Sequence, residues 1–398
     1  MPGRTLVLVE NLSVPFDRRV RQECLALRRA GWEVSVICPM GQNTDRDAYE
    51  EWEGVHVHRY PLTPASGGPL GYVREYGTMF RHTRRLALEL DRATPFDVVQ
   101  ACNPPDLLLL AVGALKRRGA AMVFDHHDLV PELYESRFDR GRDLLYGLTV
   151  RAEAATFRRA DVVISTNESY RRVALERGGK APEDVFVVRS APDLSRFVPS
   201  PPDPSLAHGK EHLLAYLGVM GPQDGVDHAL RALAHLRQRR DDWHAVFIGG
   251  GDVYDEMRAL ARELGIGDAV DFPGRIPDED VTRILSTADV CLAPDPKNPL
   301  NDVSTMNKIV EYMAMSRPIV SYELIEARES AGDAAIYVTT NDERAFADGI
   351  ARLLDDPAER RRMGELGRQR VEQALSWEHS ERNLLAAYER ALGRARRR

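Results

Sequence analysis

Short apolar runs alternate along almost the whole chain with longer stretches whose apolar residues recur at helical spacing, the pattern of βαβ units built on parallel sheets. Strands are predicted at Thr5–Val9, Glu33–Cys38, Val55–Tyr60, Asp97–Ala101, Met122–Asp125, Asp161–Ser165 and Val185–Arg189, with helices between them. The segment Phe197-Val-Pro-Ser-Pro-Pro-Asp-Pro carries four prolines in eight residues, too many for a helix or a central strand, and is expected to be an exposed linker. Beyond it the pattern resumes, with strands expected at Leu213–Leu217, Ala245–Ile248, Val270–Pro273, Val290–Ala293, Ile319–Tyr322 and Ala335–Val338. The expected fold class is α/β, with two Rossmann-like doubly wound parallel sheets whose strand ends leave a ligand cleft. The expected boundaries are residues 1–195 for the first domain, 196–210 for the linker, 211–375 for the second domain and 376–398 for a last helix. Leu384, Leu385, Tyr388 and Leu392 share one face of that helix, which is expected to pack back across both domains.

Composition narrows the class. The chain has 398 residues, 43% hydrophobic and 29% charged, an ordinary globular mixture too apolar for intrinsic disorder. Its longest apolar stretch, Leu107 to Leu115, is far shorter than the ~20 residues of a membrane-spanning helix. No secretory signal pattern opens the sequence, so a cytoplasmic location is expected. Cys24, Cys38, Cys102 and Cys291 are widely spaced, which suggests neither a zinc knuckle nor a disulfide framework. The net charge of −7 divides into +1 for residues 1–190 and −8 for the remainder, and the pI of 5.9 argues against a nucleic-acid partner. Arginine clusters remain at Arg18, Arg19 and Arg21, at Arg81, Arg84 and Arg85, and in the tail Arg394–Arg398. They read as solvated helix faces or as a peripheral contact with an anionic inner-membrane face.

The loop after the first strand, Glu10-Asn-Leu-Ser-Val-Pro-Phe-Asp, contains no glycine, which removes the dinucleotide fingerprint of an oxidoreductase. Gly249-Gly-Gly-Asp252 lies between a strand and a helix, and reads either as a tight turn or as a backbone approach to a ligand. The most informative stretch is Asp295 to Val320. A strand ends near Ala293, Ser304 or Thr305 can cap a helix, and Pro318 opens the next strand. The free N–H groups and positive dipole of that helix start favour a phosphate, and Lys308 adds a full charge. Glu311 follows Lys308 on the same helix face, either for sugar hydroxyls or as an ordinary surface ion pair. His126 and His127 are adjacent at a strand end, so only one faces the strand-end side, and His127 is the better placed. Asn11, Asp17 and Asn103 end or follow strands on that side, as hydrogen-bonding partners of an acceptor or as structural caps.

Ser304-Thr-Met-Asn-Lys-Ile-Val-Glu-Tyr-Met-Ala followed by Arg317-Pro-Ile-Val resembles the donor-binding segment of family 4 glycosyltransferases of the GT-B fold. Phe16-Asp-Arg-Arg-Val-Arg-Gln-Glu, Asp125-His-His-Asp-Leu-Val-Pro-Glu, Ala160-Asp-Val-Val-Ile-Ser, Gly218-Val-Met, Pro273-Gly-Arg-Ile-Pro and Ser376-Trp-Glu are similar to further segments of that family. The resemblance implies a retaining transferase, hexosyl- or N-acetylhexosaminyl-type, working in glycan or polysaccharide biosynthesis. It would need neither a bound metal nor a cofactor. Its partners would be a nucleotide-diphosphate sugar donor, with a UDP-sugar expected, and a glycan, lipid-linked or small-molecule acceptor. Carried over by position, the donor would meet Gly218, Gly249, Gly250, Arg275, Ile276, Ser304, Thr305, Met306, Asn307, Lys308 and Glu311. Glu311 would hold the ribose, Lys308 and the main chain near Ser304 the diphosphate, and Arg275 and Ile276 the base. His127 would meet the reacting sugar, with Asn11, Asp17, Asn103 and Asp128 on the acceptor side; His127 and Lys308 are the expected catalytic residues. Val303, Val219 and Asp224 stand where many members carry glutamate, arginine and lysine, and a subgroup similar to bacterial aminosugar transferases fits that departure better. A nucleotide-sugar epimerase of similar fold and a catalytically weak sugar-nucleotide-binding protein are the alternatives.

Overall fold

The computed structural model describes residues 3–41, 44–63, 69–138, 143–192, 194 and 197–397; the expected boundary at 195/196 and Arg398 lie outside the described residues. The chain divides into two compact units, Met1–Ser190 together with Glu378–Arg398, and Ala191–Trp377.

The strands of the first unit are β1 (Arg4–Leu8), β2 (Glu33–Pro39), β3 (Tyr49–Trp52), β4 (Val55–Tyr60), β5 (Val98–Cys102), β6 (Ala121–His126), β7 (Val162–Ser165) and β8 (Val185–Val187). They form one sheet in the order β3-β4-β2-β1-β5-β6-β7-β8. Every neighbouring pair is parallel except β3 with β4. β5 and β6 are buried at every position because helices cover both faces of a parallel sheet. β3 is absent from the expected strands. Its sequence, Tyr-Glu-Glu-Trp, lies on the exposed edge, where no apolar period is required, and the turn Glu53-Gly54 with positive φ at both residues closes it onto β4.

The second unit contains β9 (His212–Leu217), β10 (Trp243–Ile248), β11 (Val270–Gly274), β12 (Val290–Ala293), β13 (Ile319–Tyr322) and β14 (Ala335–Val338), all parallel, in the order β11-β10-β9-β12-β13-β14. Its core lies in two layers, one on each face. Trp243, Ala245 and Phe247 point into one, and Val246 and Ile248 into the other. In both units the connections leave the first strand in one direction and later return to its other side. The carboxyl ends of β1 and β5, and of β9 and β12, are therefore the topological switch points.

Residues 198–202 of the proline-rich segment are exposed, as expected. The proline-rich segment is strapped to the second unit, with Ser200 N donating to Ser286 Oγ at 3.0 Å and Asp203 N to Thr287 Oγ1 at 2.9 Å. The last helix, Trp377–Ala395, groups from Glu378 onward with the first unit. There Tyr388 packs edge-on against Trp32 and Asn383 Nδ2 donates to Val187 O.

Tyr312 keeps the second switch point open at a fixed width. Its buried hydroxyl accepts from Leu217 N at 2.7 Å and donates to Leu292 O at 3.1 Å, linking the ends of β9 and β12. Tyr312→Phe leaves both backbone groups unpaired at a buried site and is expected to cost about 1–3 kcal/mol, measured as a shift of the urea midpoint at unchanged slope.

Candidate functional site

In the second unit the strand-end loops are stitched together by their main chains. Gly218 N donates to Ile248 O, Met220 N to Gly250 O and Gly249 N to Gly274 O. Gly249 has φ +127°, and a Cβ there would lie 1.9 Å from Gly218 O, so this approach admits only glycine. Gly250 opens onto free space, while Arg275 is exposed and Ile276 packs at the edge of the core.

Lys308 corrects the sequence expectation. It is not an exposed lysine paired with Glu311. It is buried, with Nζ 2.5 Å from Asp295 Oδ1 in the loop after β12 and 5.3 Å from the centre of the Tyr216 ring. Its methylene stem lies against Gly218, where a Cβ would come within 3.1 Å of Lys308 Cε. Burial opposes its charge, but Asp295, Tyr216 and Asp224 together outweigh that and hold its pKa above the ordinary lysine value. Asp295 Oδ2 is buried and makes no hydrogen bond. Burial raises the carboxyl of Asp224, against the opposing pull of Lys308, and its Oδ2 accepts from Gly221 N. The helix starts later than expected, at Asn307, with Met306 in the cap position and no side-chain cap. Ser304 does not cap it, because its Oγ donates to Leu300 O after the short turn Asn301–Val303. Asn307 is exposed, and Thr305, Met306 and Glu311 are half-buried. Asn301 Nδ2 donates to Gln223 O, joining this loop to the one after β9.

In the first unit, His126 and His127 point to opposite faces. His126 is fully buried among Phe124, Phe157 and Tyr170, beside Glu153. His127 lies at the open end of β6, its Nε2 2.8 Å from both Arg19 Nε and Asp125 Oδ2. That nitrogen therefore finds a donor when the ring is neutral and an acceptor when it is protonated. Arg19, counted above in a surface cluster, is buried in the centre of this network. Its NH2 meets Asp125 at 2.9 Å and Glu23 at 3.1 Å, and its NH1 donates to Val188 O. Burial disfavours a charge on either acid, but Arg19 and then His127 hold the Asp125 pKa below the usual carboxylate range. Burial and then Asp125 push that of Glu23 well up, so one of the two acids is charged. Gln100 Nε2 donates to both acids, and Tyr388 OH donates to Gln100 Oε1 at 2.7 Å. Glu23, Cys102, Asp125 and His127 would by type suit a metal, but the Arg19 guanidinium already hydrogen-bonds His127 and Asp125, lies 3.1 Å from Glu23 and supplies the positive charge.

The other acceptor-side residues separate by role. Asn103 is spent on the loop: Oδ1 accepts from His127 N and Asp128 N, and Nδ2 donates to Asp106 Oδ1 and Asp128 O. It positions His127. Asp17 caps the helix Arg18–Arg29 by accepting from Arg19 N and Val20 N, Asn11 is exposed, and Asp128 is half-buried, its carboxyl raised by burial.

Two sequence models together cover most of the chain. The one described as a glycosyl transferase 4-like domain matches residues 17–191, and that for glycosyl transferases group 1 matches residues 202–370. Both matches are to glycosyl transferases, and the chain belongs to the glycosyltransferases. This glycosyltransferase is 30% identical over 217 residues to an MMP α-(1→4)-mannosyltransferase of Mycolicibacterium hassiacum, a match covering 54% of this chain and half the length of that relative. It is 24% identical over 322 residues to a 2-deoxystreptamine glucosyltransferase of Streptomyces kanamyceticus, covering 78% and 81% of the two chains. The structure of Anabaena HepE in complex with UDP-glucose superposes with a TM-score of 0.73 at 17% identity over 97% of this chain and 99% of that one, a likeness of GT-B fold. Among the described residues no helix is long and apolar enough to cross a membrane.

Sequence reasoning assigned no role to Glu10 or Asp295, and it named the segments holding Arg19, Glu23 and Asp125 without seeing that they pair. Glu10 ends the run of β1, is nearly buried, and has an Oε1 without a hydrogen bond. Burial, reinforced by Glu75, raises its pKa from 4.5 to about 7. Between those values the native state keeps a proton that the unfolded chain has released, so stability falls as pH rises through this window. Glu10→Gln is expected to remove about 3 kcal/mol of that fall. Urea melts of both proteins at pH 5 and pH 8 measure the difference.

Proposed function

We propose that the protein is a retaining glycosyltransferase that moves a sugar from a nucleotide-diphosphate donor, a UDP-sugar, to a hydroxyl acceptor in glycan or glycoconjugate synthesis. The observation that carries this reading is Lys308, a buried cation one residue inside a helix start at the β9–β12 switch point, backed by a glycine that gives it room. An ammonium has three N–H donors. One is committed to Asp295, which orients Nζ and leaves two for phosphate oxygens. As the bond from the anomeric carbon to the diphosphate oxygen breaks, negative charge grows on that oxygen, where the ammonium and the helix start stabilise it. The acceptor oxygen bonds to the anomeric carbon from the face that the diphosphate leaves, and its proton passes to the departing phosphate. Gly249, Gly250, Arg275 and Ile276 would receive the nucleoside and Glu311 the ribose hydroxyls, in a pocket that a main-chain approach can line. On the acceptor side His127, held by Arg19, Asp125 and Asn103, would hydrogen-bond the reacting sugar region. The UDP-glucose complex of HepE supports a uridine donor by likeness of fold, and the mannosyl- and glucosyltransferase relatives support a hexosyl donor.

The test is incubation with a panel of nucleotide sugars, with and without hydroxyl acceptors, followed by nuclear magnetic resonance. Transfer with the donor's anomeric configuration kept is expected; an epimerised donor sugar, or binding without transfer over a broad panel, overturns the assignment. Lys308→Ala would strand Asp295 as a buried unpaired charge, so the variant for kinetics is Lys308→Met combined with Asp295→Asn. Its turnover is expected to fall at least ~100-fold with the melting transition retained, the scale of losing one preorganised donor to a transition state.

A further inference from the structure

The amino-terminal edge of the second sheet carries a cluster that the transfer chemistry does not use. His244 is the second residue of β10, Asp271 is the second residue of β11, and His208 follows the short helical turn Pro204–Ala207 at the end of the proline-rich strap. Asp271 Oδ2 is hydrogen-bonded to His208 Nε2 at 3.0 Å and lies 3.1 Å from His244 Nε2. The three atoms fall within 4.8 Å of one another. The imidazoles are tilted by 46° with ring centres 4.4 Å apart, so they are not stacked.

The decisive detail is His244. Its side chain is only 4% exposed, yet Nε2 makes no hydrogen bond although a carboxylate oxygen is 3.1 Å away. The distance is right and the direction is wrong for a hydrogen bond, as for two ligand atoms that converge on a third point. With metal–ligand bonds of about 2.0–2.1 Å, separations of this size subtend about 95° at an ion, between octahedral and tetrahedral. Burial favours the neutral imidazole, the form that has a lone pair to give. Two imidazoles with one carboxylate select zinc and its neighbours over magnesium or calcium, with water completing the shell at the exposed side of His208 and Asp271.

We propose that His208, His244 and Asp271 form a binding site for a divalent transition-metal ion, with zinc as the probe, that clamps the end of the proline-rich strap to β10 and β11. The site lies about 15 Å along β10 from the glycine loops at the strand's other end, at roughly 3.3 Å per residue. Its role is to fasten the strap to the sheet, separate from sugar transfer.

The test uses the full chain after treatment with a chelator. Zn²⁺ is titrated in competition with a chromogenic chelator, and the same titration is run on His208→Ala, His244→Gln and His127→Ala. One equivalent is expected to bind wild type, with affinity at least tenfold lower in His208→Ala and His244→Gln and unchanged in His127→Ala. Zn²⁺ is also expected to raise the melting temperature of wild type and not of His208→Ala. His208→Ala removes one exposed hydrogen bond to Asp271, so each protein is compared with itself with and without Zn²⁺, which keeps the comparison valid should His244→Gln fail to fold. Equal affinity in wild type and His208→Ala, or loss in His127→Ala instead, overturns the proposal.

Discussion

Right-handed crossovers that leave one strand in opposite directions cannot cover the carboxyl ends of the two strands between them. Both sheets obey that constraint, and almost every residue with a chemical assignment stands on a loop that it leaves bare. In the first unit these are the loops after β1, β5 and β6, carrying Glu10, Asp17, Asn103 and His127. In the second they follow β9, β10, β11 and β12, carrying Gly218, Gly249, Arg275 and Asp295. Such loops need support of their own, because no covering helix packs on them. Main-chain bonds between glycine loops, the Tyr312 hydroxyl and the four hydrogen bonds of Asn103 supply it.

The two sites solve opposite electrostatic problems with similar parts. Around Lys308 an acidic partner keeps a cation charged in a dry environment, at the expense of one of its donors. Around His127 a cation holds the pKa of one acid down while burial raises that of its neighbour, and the histidine is gripped from both sides at one nitrogen. In each case a charge pair fixes a side chain that would otherwise sample several rotamers, and a fixed donor is worth more to a developing charge than a mobile one.

Much of this was legible in the sequence. The alternation of apolar runs located thirteen of the fourteen strands among the described residues, because strands buried on both faces must be apolar in succession. The exception, β3, has no buried face to write a pattern with. The helix carrying Lys308 and Glu311 was found through its motif, but its start was placed too early, because Ser304 and Thr305 look like caps and the turn before them is invisible to local rules. The burial of Lys308 and Arg19 could not be read at all. Arg19 depends on Asp125, 106 residues away and brought near by the order of strands, and Lys308 on Asp295, 13 residues earlier across an irregular loop.

The return of residues 378–398 to the first unit has a consequence in time. Tyr388 completes the hydrogen bonding of Gln100 beneath the His127 network, yet it is made after the whole second unit. At ~5–20 residues per second, the 187 residues from 191 to 377 separate the two parts of the first unit by about 10–40 s of synthesis. For that interval the nascent first unit exposes the bed of its missing helix, including the buried ring of Trp32. The second unit, whose sequence is continuous, is free to fold first, so a polypeptide read from its amino terminus finishes its beginning last.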